Sequence, residues 1–589
     1  MDPPHTTSNP PLLPPSPESG WPRWVPGLWV LRHYQRAWLS KDLGAGLVLS
    51  ALLVPAGMGY AEAAGLPPIH GLYATIIPLL AYALFGPSRI MVIGPDSALA
   101  ALIAGAIGGL AAGDSERAVA LASLLAILTG LLSVGAGLGR LGFLTELLSK
   151  PVRVGYMNGI GLTVLISQLP KLLGCRAAGD NLFVQFGALV EAIGRGETDL
   201  ATTALGLGAL TLIMVLRAVA PKVPGILVAV VLTTLLVQFV EPFGAVVVVG
   251  EVPRGLPWPN VPAVNFADAG ALLMSALGIA LIAFTDTSVL SRAFAARYGE
   301  RVDPNRELLG LGVANLAAGF FRGFPICSSS SRTPVAESAG SRTQLTGVFG
   351  ALVITTLLLV APGLTTHLPT AALAAVVVAA VVRIFDLSAL KVFYRVRRTD
   401  FWLSIVAFFA VAALGVIPGI GLAVTMSILD FLRRAWRPHD AILGRAPGVK
   451  GYHDLRRYPD ARQIPGLLLF RWDAPLFFAN ADSFRERILE VVAEAQAPVR
   501  WVVIAAEPIT DVDTTAAEML QELDRTLAIQ GVELAFAELK DPVKDRLRRY
   551  GLHKTIGGEY FFPTLGVAVK AFLAQHPVEW IDWEQGGEG

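Results

Sequence analysis

The sequence predicts a polytopic α-helical membrane protein that ends in a small cytoplasmic α/β domain. Of the 589 residues, 53% are hydrophobic and only 16% are charged, and the mean hydropathy is +0.57. Soluble domains carry about 25% charged residues, so this is the composition of a membrane protein. The net charge of +1 gives no reason to expect a nucleic-acid partner.

The membrane region is predicted to occupy residues 42–435. Apolar segments follow one another there, separated by Gly, Pro and short charged turns. Several have about the 20 residues that a helix needs to cross a bilayer. We expect about fourteen membrane segments in all. Residues 1–41, which begin with repeated Pro and Ser, are expected to form a disordered or amphipathic cytoplasmic segment.

Basic residues indicate how these segments are oriented. Arg and Lys precede the first span, follow the last and crowd alternate loops, whereas the intervening loops, such as 66–70 and 362–369, carry almost none. By the positive-inside rule, both termini face the cytoplasm and the number of spans is even. We therefore expect a multi-pass protein of the cell membrane that is surrounded by the lipid bilayer.

The sequence pattern changes after Pro438. Residues 436–462 are polar and are expected to form a linker. Strand-like and helical runs then alternate, at 466–471, 481–494, 499–506, 515–530 and 532–536. Strands that alternate with helices predict a small α/β domain, which we place at residues 463–578, with 579–589 as a tail.

One polar stretch lies inside the apolar region, at residues 324–334, which read FPICSSSSRTP. A charged side chain near the bilayer midplane costs roughly 2.5–3.5 kcal/mol, so such residues usually mark a substrate path. Pro325 and Pro334 prevent one uninterrupted helix and favour a short half-helix that begins near the serines. Its free N–H groups and positive dipole end would form an anion site. The alternative is a polar cytoplasmic loop with an ordinary arginine.

A second interrupted element begins at residues 94–97, which read GPDS. Paired interrupted segments in the two halves of a membrane region indicate a transporter with inverted repeats, whose site lies between broken helices. We place the two repeats at about residues 42–220 and 225–435.

Short motifs around these elements follow in order along nearly the whole chain. In the membrane region they are PAGMGYA at 55–61, AGLPPIHGLY at 64–73, YALFGPSR at 82–89, GP at 94–95, SRT at 331–333 and ESAGSRT at 337–343. In the tail they are LFFANA at 476–481 and DVDTTA at 511–516. The first set resembles the signature of the SulP anion transporters, which include sulfate permeases and bicarbonate transporters. The second set resembles a STAS domain.

The resemblance implies about fourteen membrane segments in a seven-plus-seven inverted repeat, with a core domain, a gate domain and a substrate site between the third and tenth segments. It also implies a homodimer, and we expect neither a metal nor another cofactor. Carried over by motif, the residues expected at the substrate are Tyr60, Asp96, Ser97, Ser330, Ser331 and Arg332. Those expected in proton coupling are Asp286 and Glu62.

The chain departs from the family pattern at three positions. Ala56 stands where the family often has Gln, Glu62 stands where it has an apolar residue, and Asp96 stands where it has Phe or a small residue. A carboxylate about 6 Å from a bound anion would repel it by roughly 2–3 kcal/mol at an effective dielectric near 20. Asp96 is therefore either a protonatable coupling group, a partner for Arg332 or a sign of an altered substrate. It is alternatively the N-cap of a helix, and an N-cap can also take part in coupling.

Each of the other candidates also has a structural alternative. Arg332 holds the substrate or acts as a counter-ion to Asp96 or Asp286, and the serines and Tyr60 line the site or simply pack. Asp286 lies in an apolar run without a neutralising neighbour in sequence, which favours a proton carrier. Sodium coupling is disfavoured because Leu290 stands where sodium-linked relatives have a hydroxyl, and a structural role stays open.

Glu62 lies about 200° around an ideal helix from Tyr60, so the two cannot face one cavity unless the helix is irregular. We expect it at the outer mouth or between helices, with proton transfer as the alternative. In the tail, Thr514 occupies the position of a phosphorylatable serine in bacterial relatives, and the competing interpretation is an N-cap.

The function that these observations predict is secondary active transport of a small anion (sulfate, bicarbonate or a small dicarboxylate), coupled to protons and operating by alternating access. The alternatives are an uncoupled anion channel or exchanger, a nucleobase–proton symporter of the same fold, and a signalling receptor. The nucleobase family lacks the STAS tail and the Ser-Arg motif. An enzyme is not expected, because the chain carries no nucleotide-binding loop, no Cys/His metal set and no nucleophile motif.

Overall fold

The chain folds into two compact units that divide between Ser427 and Ile428. A computed structural model describes residues 20, 24–146, 149–177, 182–220, 223–240, 243, 245–251, 253–298, 300–329 and 331–580. Most of the predicted N-terminal segment, residues 1–19 and 21–23, lies outside this described part. Its last residues are helical, because Pro26–Arg32 forms α1 and Arg36 begins the next helix.

The first unit consists almost entirely of helices. After α1 they are α2 (Arg36–Ala63), α3 (Pro68–Phe85), α4 (Ser97–Ala111), α5 (Ser115–Leu138), α6 (Lys150–Leu173), α7 (Leu182–Gly194), α8 (Leu200–Val219), α9 (Gly225–Phe239), α10 (Phe266–Arg297), α11 (Pro304–Phe320), α12 (Arg332–Ser338), α13 (Leu345–Val360), α14 (Thr370–Val381), α15 (Leu387–Val396), α16 (Arg398–Leu414) and α17 (Val416–Trp436), which crosses into the second unit.

Several of these helices have the length and composition of membrane spans. Among the described residues, five are long and apolar enough to cross a bilayer, namely α2, α3, α5, α8 and α10. The apolar helices α4, α7, α9, α13 and α14 are shorter, at 10–17 residues. This unit is therefore a polytopic helical membrane domain, as the composition predicted.

Small residues let the membrane helices pack closely. Helices α5 and α11 cross at Gly130 and Gly312, where a Cβ added at Gly130 would lie 2.7 Å from the Leu316 amide nitrogen. A Cβ added at Gly312 would lie 2.8 Å from the Val134 amide nitrogen. Glycine is needed at both positions because the two backbones are almost in contact, a common arrangement in membrane proteins.

Two short strands of the first unit pair with each other and run in opposite directions; they are called the crossed strands below. Strand β1 (Ile93–Gly94) pairs antiparallel with β2 (Cys327–Ser328), with Ile93 opposite Ser328 and Gly94 opposite Cys327. Strand β1 leads into α4, and β2 leads into α12. The two interrupted elements found in the sequence therefore meet directly, with opposite chain directions.

The second unit is an α/β domain built on one six-stranded sheet, ordered β4-β3-β5-β6-β7-β8. Its elements are β3 (Asp440–Arg445), β4 (Tyr452–Asp454), β5 (Leu467–Trp472), α18 (Ala481–Ala493), β6 (Trp501–Ala505), α19 (Thr514–Ile529), β7 (Glu533–Ala537), α20 (Asp541–Arg549), α21 (Leu552–Ile556), β8 (Phe561–Phe562) and α22 (Leu565–Gln575). Strands β5 to β8 are parallel, and alternate side chains of β5 face two separate cores, so both faces of the sheet are covered.

The segment 436–462, which the sequence pattern suggested is a linker, is part of this sheet. It contains β3 and β4, and β3 pairs antiparallel with both β4 and β5. The run is short and rich in Arg and Asp, so its polarity hides the alternation that marks a half-buried strand.

Candidate anion site

The crossing of β1 and β2 brings most of the substrate residues expected from the sequence to one place. Asp96 and Ser97 follow β1, and Ser331 and Arg332 follow β2. Ser330 lies outside the described residues. Because each strand ends only a few residues before a helix begins, two helix N-termini and their adjoining side chains are held next to each other.

Arg332 lies at the centre of this group and is only 4% exposed. Its Nη2 donates a hydrogen bond to the Pro95 carbonyl oxygen and lies 3.9 Å from Asp96 Oδ2. Its guanidinium carbon lies 5.9 Å from the centre of the Tyr60 ring. The other two nitrogens, Nε and Nη1, are buried without a hydrogen-bond partner among the described residues. A buried guanidinium with unused donors is suited to bind an anion.

Gly94 adopts a backbone conformation that favours glycine at the end of β1, beside this guanidinium. Its φ of +151° is a conformation that side chains disfavour. A Cβ at this position would lie 3.9 Å from Nη1 of Arg332. The Gly-Pro sequence thus lets the chain turn into α4 directly beside Arg332.

Asp96 is the N-cap of α4, because its side chain accepts a hydrogen bond from the Ala98 amide at 3.1 Å. The same carboxylate is 3.9 Å from Arg332, which is an ion-pair distance but too long for a hydrogen bond. Asp96 therefore caps α4 and forms an ion pair with Arg332 at the same time. Ser97 is buried at the first position of the helix.

The serines divide into different roles. The Ser329 hydroxyl, which the sequence analysis did not select, accepts a hydrogen bond from the Arg332 amide at 3.3 Å and lies 3.2 Å from the Ser331 hydroxyl. Ser331 is the N-cap of α12, but its side chain makes no capping hydrogen bond. The Ser331 hydroxyl therefore does not cap the amides of α12.

Asp286 lies on α10 one residue before Thr287, whose hydroxyl accepts a hydrogen bond from the Ser328 amide in β2 at 3.3 Å. Within the described part of the chain, the Asp286 carboxylate makes no hydrogen bond or ion pair. It lies within electrostatic range of Asp96 and Arg153. Asp286 is therefore next to the crossed strands and has no fixed partner among the residues that the structure describes.

Glu62 is not part of this group. It lies in the last turn of α2 and forms an ion pair of 3.6 Å with Lys171 of α6, whose ammonium group also donates to the Glu62 carbonyl oxygen. The structure therefore agrees with a position between helices.

Sequence reasoning missed two side-chain amides that hold the crossed strands. Asn315 of α11 hydrogen-bonds to the backbone of Ile326, and Gln344 hydrogen-bonds to the carbonyls of Ser88 and Met91. Asn315 stands alone in an apolar helix, and Gln344 directly follows the ESAGSRT motif but lies more than 250 residues from its partners. The described residues contain no group of three or more His, Cys, Asp or Glu that could hold a metal ion.

Comparison with known proteins identifies the family. The model of the sulfate permease family matches residues 39–407, and the STAS domain model matches residues 458–568. A probable sulfate transporter of Mycobacterium tuberculosis is 43% identical over 550 residues, which cover 93% of this chain and 98% of that protein. Sulfate transporter 4.1, chloroplastic, of Arabidopsis thaliana is 31% identical over 574 residues, which cover 92% and 82%.

Solved structures show the same fold. The murine Solute Carrier 26 family member A9 anion transporter in its inward-facing state is similar with a TM-score of 0.86 at 23% identity, over 94% of each chain. The transmembrane domain of the cyanobacterial bicarbonate transporter BicA gives a TM-score of 0.58 at 24% identity, over 67% of this chain and 97% of that one. The chain therefore belongs to the sulfate permease family, a family of transporters and not of enzymes, and carries a C-terminal STAS domain.

Proposed function

We propose that this protein is a secondary active transporter that carries a small anion, with sulfate as the first candidate, across the membrane. The observation that carries the proposal is the buried guanidinium of Arg332, two of whose nitrogens have no hydrogen-bond partner among the described residues, at the place where the two interrupted segments pair. The sulfate transporters among its relatives support sulfate as the substrate.

In this proposal the anion binds beside Arg332. The guanidinium supplies a full positive charge, and the N-termini of α4 and α12 supply partial positive charge. The side chains of Tyr60, Ser97 and Ser331 surround the anion; Ser330, which the sequence also predicts at the substrate, lies outside the described residues. Asp96 caps α4 and limits the net positive charge of the site, which weakens binding enough to permit release.

We further propose that transport is coupled to protons through Asp286. The Asp286 carboxylate has no fixed partner in the described part of the chain and lies next to the crossed strands, so its charge can change during the cycle. Protonation of Asp286 would remove one negative charge near the site and so favour entry of the anion. Glu62 is the weaker candidate because Lys171 neutralises it. Sodium in place of protons is the less favoured alternative.

The transport cycle proposed here is alternating access within a homodimer, with a core domain that carries the site past a gate domain. The proposal includes the seven-plus-seven inverted repeat, cytoplasmic termini and a location in the cell membrane. The antiparallel pairing of β1 and β2 supports the inverted repeat, because equivalent segments of such repeats run in opposite directions through the membrane.

Uptake by proteoliposomes tests the proposal. Purified protein should accumulate labelled sulfate above its equilibrium level when the inside is made alkaline relative to the outside, and excess bicarbonate, chloride or a dicarboxylate should reveal the preferred anion by competition. Sulfate flux without accumulation would indicate a channel. Uptake that occurs only when the vesicles are loaded with an anion that can leave in exchange would indicate an exchanger. Uptake of a labelled nucleobase in place of any anion would favour the nucleobase symporter. Binding of an anion without flux would favour a receptor.

A further inference from the structure

Asn315 holds the chain segment that leads into β2. It lies on α11 and is fully buried. Its Oδ1 accepts a hydrogen bond from the Ile326 amide at 2.9 Å, and its Nδ2 donates to the Ile326 carbonyl oxygen at 3.1 Å. One carboxamide therefore satisfies both backbone groups of the residue immediately before β2, as a neighbouring strand would.

Gln344 holds the chain segment that leads into β1. It is 8% exposed and lies immediately before α13. Its Nε2 donates to the Ser88 carbonyl oxygen at 2.7 Å and to the Met91 carbonyl oxygen at 2.9 Å. These two carbonyls belong to the loop between α3 and β1. Each crossed strand thus has its own carboxamide, one contributed by α11 and the other by the residue just before α13.

We propose that Asn315 and Gln344 are positioning residues for the anion site, an inference that rests on the proposed function. Strands β1 and β2 have only two residues each, so their mutual hydrogen bonds alone give little rigidity. The carboxamides fix the two incoming segments and thereby set where Pro95 and Arg332 lie. The position of the guanidinium then determines the affinity for the anion.

Cys327 provides a readout of strand opening that does not depend on any anion. It is 1% exposed, lies in β2 and directly follows Ile326. The chain contains two cysteines, so Cys175→Ser leaves Cys327 as the single thiol. In that background, the rate at which N-ethylmaleimide modifies Cys327 reports how often the crossed strands open. Leaving a buried backbone group unpaired should make opening roughly ten- to a hundredfold more frequent in Asn315→Ala and Gln344→Met.

Asn158→Ala is the matched control. Asn158 is also a buried asparagine in a membrane helix, and its Oδ1 accepts a hydrogen bond at 2.9 Å from the Asp386 amide, which belongs to neither crossed strand. The control should lower the thermal unfolding midpoint but leave the Cys327 rate unchanged. Asn315→Asp keeps the acceptor for the Ile326 amide and should give an intermediate rate, which also provides a test if Asn315→Ala does not fold.

The second readout is sulfate affinity of the detergent-solubilised protein by calorimetry. We expect the dissociation constant to rise at least fivefold in Asn315→Ala and Gln344→Met and to stay at the parental value in Asn158→Ala. An unchanged Cys327 rate in both variants, or an equal rise in the control, would overturn the positioning role. If the parental protein binds no sulfate, the proposed function fails, whereas the thiol measurement still decides whether the carboxamides hold the strands.

Discussion

Replacing Arg332 with Ala should weaken sulfate binding more than replacing any single serine of the site. The substitution removes a buried positive charge and the two nitrogens, Nε and Nη1, that have no partner in the described protein. One hydrogen bond to a charged group is worth about 1.5–3 kcal/mol, or roughly ten- to a hundredfold in affinity. Ser331→Ala removes only a neutral hydroxyl and should cost about tenfold or less.

The ion pair with Asp96 adds a second component to the expected loss. At the observed 3.9 Å, two unit charges attract by about 4 kcal/mol at an effective dielectric near 20. In Arg332→Ala this carboxylate stays without its counter-ion and repels the anion. Asp96→Asn removes the repulsion while preserving the cap of α4, because Asn caps as well as Asp. Arg332→Ala combined with Asp96→Asn should therefore recover part of the lost affinity, leaving a deficit of at least tenfold.

Calorimetry on the parental protein, the two single variants and the double variant forms a double-mutant cycle that separates these components. Arg332→Lys is the control for charge, since an ammonium keeps the charge but loses the planar fork of donors. The assignment of Arg332 to the substrate would be refuted if the double variant bound sulfate as tightly as the parental protein. Such a rescue would make Arg332 only a structural partner of Asp96.

Three further predictions follow from other parts of the chain. Asp286→Asn should abolish proton-driven accumulation but preserve exchange of labelled for unlabelled sulfate in proteoliposomes; accumulation by the variant would transfer the coupling role to Asp96 or Glu62. Removal of residues 438–589 should slow transport but leave sulfate affinity within about threefold, and a well-folded truncation without binding would contradict this. Burial first, and then the charge of Glu533, raises the pKa of Asp524, so its contribution to folding stability falls as pH rises through the raised pKa. Asp524→Asn should therefore raise the thermal midpoint of the full chain's second unit at pH 7.5 more than at a pH below 3.8, the ordinary pKa of the carboxyl, and equal shifts at both pH values would show that the carboxyl titrates alike in the folded and unfolded states.

The tail shows what local sequence pattern predicts well and where it stops. The predicted runs 466–471, 499–506 and 532–536 correspond to β5, β6 and β7, because buried parallel strands are continuous apolar runs. Strands β4 and β8 are the edges of the sheet and have only three and two residues, and β3 lies between β4 and β5 within a segment rich in Arg and Asp, so none of the three stands out from a loop in the sequence. Their place in the sheet depends on pairing with β5 and β7.

At the site, the sequence predicts the residues that lie on the interrupted elements themselves. Asp96 and Arg332 stand out because charge is rare in apolar segments, and the structure brings them to 3.9 Å. Asn315 and Gln344 carry no such signal, since an uncharged amide side chain in an apolar region has many possible partners. Contacts such as the hydrogen bond from the Val92 amide to the Thr333 hydroxyl, across 241 residues of sequence, are set by the packing of helices and not by any local motif.

The position of Asp286 connects the two halves of the proposed mechanism. The hydroxyl of the next residue on α10, Thr287, accepts a hydrogen bond from the Ser328 amide. Ser328 in turn pairs with Ile93 of the other crossed strand. In the proposed mechanism, a change in charge at Asp286 would act on the site by two routes. The first is electrostatic, because Asp96 is within electrostatic range of Asp286. The second passes through β2, because the residue next to Asp286 on α10 is hydrogen-bonded to that strand. The two routes separate experimentally. Thr287→Val removes the hydroxyl and keeps the shape, so it should lower sulfate affinity or transport rate while leaving proton dependence intact. Loss of proton dependence in Thr287→Val would instead show that coupling passes through the strand.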